Sequence, residues 1–213
     1  MCTVCDLTAV FILAGRKMML MNRRDSSARN YFTYQRGTVE SYSKWASEVG
    51  DSSYEFSALL PYFKKSVDFT PPDNAQRAEN ASMGYNANAF ASGAGPLKVS
   101  APIFANPFSS LAKAAFVKLG FATALDFVSG TLSGVQYNMN TIDPKDQTRS
   151  SSQTSFLNQV INSTRIEVYH GTLAKKIIFD GNKARGVLLN TSGTEYPVYA
   201  NKEVVLSAGA VRP

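Results

Sequence analysis

Apolar residues recur at two different periods along this chain, and the change of period near residue 165 divides it. In the first part the spacing is helical. Tyr42, Trp45, Ala46 and Val49 fall at i, i+3, i+4 and i+7, Thr38 stands where an N-cap is needed, and Gly50 stands where the helix must stop. This predicts a helix over 39–49 with that stripe in the core. Leu59, Leu60 and Phe63 mark a second helix from about Ser57. Pro61 is read as lying in its first turn, where a missing donor costs little, and the helix is read as ending before Pro71-Pro72. From residue 166 the period becomes two. The segments 166–168, 176–179, 184–189, 195–199 and 203–206 are separated by Asp180-Gly181-Asn182 and Ser192-Gly193 turns, which predicts a meander of antiparallel strands. Helices followed by a meander give an α+β class.

Between these parts, residues 70–95 are rich in Pro, Asn, Ala, Ser and Gly without a sustained period, which predicts a long surface loop. A short strand is expected over 96–100. Asn106 then caps, and Pro107 opens, the best-marked helix of the chain, with Phe108, Leu111, Ala112, Ala115, Phe116 and Leu119 on one face before Gly120. Residues 134–142 alternate weakly as a strand, and Asp143-Pro144-Lys145-Asp146 turns it. Ser150 or Ser151 is placed to cap a short helix through Phe156, Leu157 and Val160.

Composition narrows the possible partners. The 213 residues carry a net charge of +6, but their cations are scattered or in pairs such as Arg23-Arg24 and Lys64-Lys65. A nucleic-acid surface needs a clustered stripe, so a solvated basic surface is expected and no nucleic-acid partner. The apolar run over 7–15 is too short for a bilayer, and it lacks the basic start and small-residue cleavage site of a secretory leader; no membrane partner is expected. The tripeptides starting at Asn80, Asn162 and Asn190 would be glycan acceptors only in a secreted protein. Cys2 and Cys5 have metal-like spacing, but with no further Cys and a single His, His170, a tetrahedral zinc site cannot be completed. No metal site is assigned.

The stretch 26–38 is chemically the most suggestive. Ser26-Ser27-Ala28-Arg29-Asn30-Tyr31-Phe32 runs into Thr33-Tyr34-Gln35-Arg36-Gly37-Thr38. Ser26, Ser27 and Asn30 can bond either a ligand or their own main chain, and Ala28 adds no bulk. Two outcomes follow from that chemistry: a solvated turn, or a main chain that approaches a flat polar cofactor.

Ser-Ser-Ala-x-Asn followed by Tyr-x-Arg-Gly resembles the signature loop of the glucose-methanol-choline (GMC) family of FAD-dependent oxidoreductases. Trp45, Leu60-Pro61-Tyr62-Phe63-Lys64-Lys65, Gly95-Pro96-Leu97-Lys98-Val99, the pair Arg149 and Ser151, and the segment 202–210 follow in the family's order. The resemblance implies a partial GMC-type fold, FAD as cofactor, and a small-molecule alcohol as substrate, oxidised to the aldehyde. It divides the chain into an unrelated or poorly ordered 1–25, a flavin-loop and helical part over 26–95, part of the substrate-binding domain over 96–150, and the cofactor-domain meander with its returning strand over 151–213. Ser26, Asn30, Tyr31 and Phe32 would line the flavin, and Leu173, Ala208 and Gly209 the adenosine and pyrophosphate side. Three family features have no counterpart. Arg24 and Asp25 stand where two glycines precede the serines, no G-x-G-x-x-G lies upstream, and His170 does not match the family's catalytic base. No catalytic residue is therefore assigned, and the chain reads as an internal fragment, inactive alone. A non-catalytic ligand- or partner-binding module and an incomplete gene product without independent function are the alternatives.

Overall fold

A computed structural model describes residues 10–13, 17–20, 31–91, 93 and 95–207, the first two segments as backbone. They form two compact units, one of residues 30–150 and one of residues 1–29 with 151–213. Helix and strand are both present, as the change of period predicts.

In the first unit, β3 (Thr33–Tyr34), β4 (Val67–Thr70), β5 (Leu97–Ser100) and β6 (Met139–Asn140) make a sheet of order β3-β6-β5-β4. The β4–β5 pair is parallel and the other pairs are antiparallel. Helix α1 (Val39–Val49) has the predicted ends. Thr38 accepts from the Ser41 amide at 3.2 Å, and Gly50 takes a left-handed φ of 69° that returns the chain. Of its apolar stripe only Ala46 is buried; Trp45 is 53% exposed and stacks on Tyr54 at 5.4 Å, so the expectation of a core stripe is corrected. Helix α2 (Phe56–Ser66) carries Pro61 in its interior and not in its first turn, which leaves one carbonyl of the helix without its usual donor.

The segment over 70–95 is irregular and largely exposed, as a surface loop should be, but a few of its residues are buried. Two 3-10 turns, Glu79–Ala81 and Ala87–Ala89, place Met83 and Ala89 in a core with Val67, Val99, Val128 and Met139. Phe69 stacks on Phe90 with centroids 3.8 Å apart. The period was absent because irregular backbone has none, and its polar groups are met locally, as where Asn74 pairs through its side chain with both main-chain groups of Met83. Helix α3 (Pro107–Lys118) starts as predicted, Asn106 accepting from the Phe108 amide at 2.9 Å, yet Phe108, Leu111 and Leu119 on its apolar face are exposed. Of the weak strand over 134–142 only β6 forms.

In the second unit, β8 (Thr172–Asp180), β9 (Lys183–Thr191) and β10 (Thr194–Tyr199) form an antiparallel meander around Val187 and Leu189. The meander read from the alternation is thus corrected to three strands, while the last strand leaves it for another sheet, as the resemblance implies of a returning strand. β7 (Ile166–Tyr169) and β11 (Glu203–Leu206) belong to another sheet, of order β11-β1-β2-β7, with β1 (Val10–Leu13) and β2 (Lys17–Leu20); β7 runs parallel to β2. Gln153–Leu157 winds as a π-helical turn into the short α4 (Asn158–Val160). Among the described residues no helix is long and apolar enough to cross a membrane.

Candidate functional site

The Tyr-x-Arg-Gly end of the signature stretch is anchored inside the first unit. Arg36 is 4% exposed and its guanidinium lies 5.2 to 5.8 Å from the ring centroids of Phe90, Phe63 and Tyr34. Its main-chain amide donates to the Phe127 carbonyl at 3.0 Å, and its Nη1 to the carbonyls of Ala89 at 2.7 Å and Val128 at 3.4 Å. Its Nη2 is buried without a hydrogen-bond partner among the described residues. Flat, weakly hydrated and permanently charged, guanidinium is the cation that such an aromatic cage suits.

Two of the carbonyls that receive Arg36, those of Phe127 and Val128, lie on a loop shaped by one carboxylate. Asp126, 2% exposed, accepts through Oδ1 from the amides of Val128 and Ser129, each at 2.9 Å, and through Oδ2 from the Asn86 amide at 2.8 Å and the Ser129 hydroxyl at 3.0 Å. The Gly130 carbonyl at the end of this loop accepts from the Val39 amide at 3.0 Å, at the start of α1. Sequence reasoning missed both residues, although Asp-x-x-Ser-Gly at 126–130 is the signal of an Asx turn.

The sequence-predicted cofactor residues divide by what the structure describes. Ser26, Asn30, Ala208 and Gly209 lie outside the described residues. Tyr31 is 89% exposed. Phe32, next to it, has φ 57°, and its carbonyl accepts from the amide and hydroxyl of Thr141 at 2.7 and 3.2 Å. Leu173, 41% exposed, pairs opposite Asn190 in β8, the edge strand of the meander. Tyr31 and Phe32 belong to one compact unit and Leu173 to the other. His170 is exposed in the turn between β7 and β8. Among the described residues no group of three or more His, Cys, Asp or Glu could hold a metal ion.

A second polar cluster, also in the first unit, surrounds Tyr137. Arg77 lies 4.9 Å and Lys113 5.0 Å from its ring centroid. Arg77 donates to the carbonyls of Ala81 and Pro102, and Lys113 to the Gln136 side chain at 2.9 Å. Arg77 also forms part of the wall of a 170 Å³ cavity beside Asp73, Gln76, Ser100 and Pro144. Burial, and then the charge of Arg77, hold Lys113 below the ordinary lysine value of 10.5. The unfolded chain therefore binds this proton more tightly than the folded one. The resulting cost is fully present at neutral pH and is relieved as pH rises through the lowered value towards 10.5. Melts of the unsubstituted chain and of Lys113→Met from neutral pH to pH 11 check this: any advantage of the methionine variant should shrink as pH passes through the lowered value towards 10.5, and a difference constant over that whole range would refute the assignment.

Mixed helices and small sheets define a fold that solved structures share. An FAD-dependent oxidoreductase from Chaetomium thermophilum matches with a TM-score of 0.75 and 28% identity, over 83% of this chain and 30% of that one. A fungal aryl-alcohol oxidase matches with a TM-score of 0.73 and 19% identity, over 82% of this chain and 30% of that one, a likeness of fold. The family model of GMC oxidoreductases matches residues 25–213, and the chain belongs to that family. Patulin synthase of Aspergillus clavatus is 46% identical over 186 residues, which are 87% of this chain and 30% of that protein. The chain thus spans about 30% of the length of this and similar curated relatives.

Proposed function

We propose that this chain supplies the signature loop, part of the cofactor shell and part of the substrate-binding domain of an FAD-dependent oxidoreductase acting on CH–OH donors, and that alone it does not turn over an alcohol. The Tyr31-Phe32 loop supports this most directly. An exposed ring, beside a main chain whose carbonyl is already fixed by Thr141, suits a loop that presents an aromatic face to a flat ring system. Within the first unit, Tyr31 and Phe32 suit the flavin side of FAD; within the second, the edge position of Leu173 leaves the outer side of β8 outside the meander's ladder, as a backbone contact to adenine requires.

FAD, when bound, supplies the acceptor for the carbinol hydride. Ser26, Asn30, Tyr31 and Phe32 would line its flavin, and Leu173, Ala208 and Gly209 its adenosine and pyrophosphate. The substrate hydroxyl must also lose a proton to a base. The chain has a single histidine, His170, exposed in a turn and outside the family's motif order, so no residue here is given that role. Its absence from the assignment is the reason to expect no turnover.

Titration of the purified chain with FAD, followed by flavin fluorescence, tests the binding half. Quenching with a dissociation constant in the micromolar to millimolar range is expected, since roughly 4 to 8 kcal/mol corresponds to a partial shell. No quenching at millimolar FAD would overturn the cofactor assignment. Oxidation of benzyl alcohol by the chain with FAD would overturn the expected inactivity.

A further inference from the structure

We infer that the hairpin of residues 141–150 is a clamp on the signature loop, and that Arg149 is its positioning residue, holding Phe32 in a left-handed conformation so that Tyr31 stays displayed; this rests on the flavin-facing role proposed above. A φ of 57° is rare for a bulky side chain, because its Cβ crowds the following carbonyl, and surrounding contacts must hold it there. Contacts of two kinds come from one hairpin. On its first strand, Thr141, itself buried, engages the Phe32 carbonyl with amide and hydroxyl. On its second, the Arg149 guanidinium carbon lies 4.0 Å from the Phe32 ring centroid, close enough for planar stacking.

The hairpin is rigid enough to act as a clamp. Ile142 and Arg149 form an antiparallel bridge, and the Ser150 amide donates to the Thr141 carbonyl at 2.9 Å. Its tip is closed by the Asp143 amide on the Thr148 carbonyl at 2.9 Å and by the Asp146 carboxylate on the Thr148 amide and hydroxyl. Both strands are tied to β5: the Ser100 hydroxyl donates to the Ile142 carbonyl at 3.0 Å, and the Ser150 hydroxyl accepts from the Lys98 amide at 3.0 Å. A path of fixed contacts therefore runs from the sheet, through the hairpin, to the one residue whose backbone is in a disfavoured region beside the exposed Tyr31. Without the stack, Phe32 should relax to a negative φ and turn the backbone that flanks Tyr31.

The test uses the whole chain and four variants, each checked by thermal melt and titrated with FAD. Arg149→Leu removes the stack and should weaken flavin binding about tenfold, the factor that matches a strain of this kind. Arg149→Lys keeps the charge without the planar face and should fall between. Phe32→Gly removes a ring placed against the flavin and should weaken binding by itself; glycine also takes a left-handed φ without a clamp, so in the Phe32→Gly background Arg149→Leu should cost little further affinity. An arginine with a purely structural role would weaken both backgrounds alike. Unchanged FAD affinity in both Arg149 variants, or an Arg149→Leu loss that persists in full in the Phe32→Gly background, overturns the clamp and leaves the flavin reading standing. Failure of the unsubstituted chain to quench FAD overturns the flavin reading and the clamp's role in it. If Arg149→Leu does not fold, Arg149→Lys with and without Phe32→Gly decides the same question.

Discussion

Asp126→Ala is expected to destabilise the first unit by about 3–5 kcal/mol, because it strips the acceptor from three amides and a hydroxyl that are buried or nearly so. The amides of Asn86, Val128 and Ser129 would each lose a charge-assisted bond, and water cannot replace it at a site 2% exposed. The damage should spread to the signature stretch, since the loop that Asp126 shapes carries the carbonyls of Phe127, Val128 and Gly130 that hold Arg36 and Val39. Urea unfolding measures the loss. Asp126→Asn separates the two oxygens. It can still accept from Val128 and Ser129, but its amide nitrogen would face the Asn86 amide donor, so roughly half the effect should remain. A loss below about 1 kcal/mol for the alanine variant would show that this carboxylate does not organise the loop.

Gly95→Ala is expected to cost about 3 kcal/mol, for a reason unrelated to backbone conformation. An added Cβ would lie 2.1 Å from the Val67 amide nitrogen and 2.2 Å from the Ser66 carbonyl carbon, main-chain atoms that cannot rotate aside. The Gly95 amide donates to the Val67 carbonyl at 3.1 Å, so the parallel β4–β5 pair begins at this contact. Gly50→Ala is the control. Nothing lies within 4 Å of its added Cβ, and only the left-handed φ of 69° opposes it, which costs about 1 kcal/mol. Thermal melts of the two variants should differ accordingly. Equal losses would mean that the approach of residue 95 to β4 does not hold in solution.

How far the sequence could be read depended on the range of the forces involved. The ends of α1 and α3 were legible because Thr38, Gly50, Asn106 and Pro107 act on amides and torsions within a turn of themselves. The strand segments of the last third were legible from their alternation, but not their partners. β7 and β11 alternate much as β8 to β10 do, and nothing within four residues says that they pair with β2 and β1. Trp45 and Leu111 fit a core stripe by spacing, yet burial depends on what covers a face, which the helix's own sequence does not encode.

The candidate site shows the same limit. The GMC resemblance of residues 26–38 was visible in the residues, and Arg36 was visible as half of a motif. That its guanidinium would sit among Tyr34, Phe63 and Phe90, with an Asp ninety positions along the chain shaping its acceptors, was not.

The sequence by itself determined the family, the α+β class, the helix ends and the turns, since each rests on residue types at fixed short spacings. Only the tertiary structure decided which strands pair with which, that Met83 and Ala89 of the 70–95 loop enter a core, and that Phe32 takes a left-handed conformation beneath Arg149. Those outcomes depend on contacts between residues far apart in the chain, whose meeting is settled by closing loops and burying surface together, and no local pattern records which of them will meet.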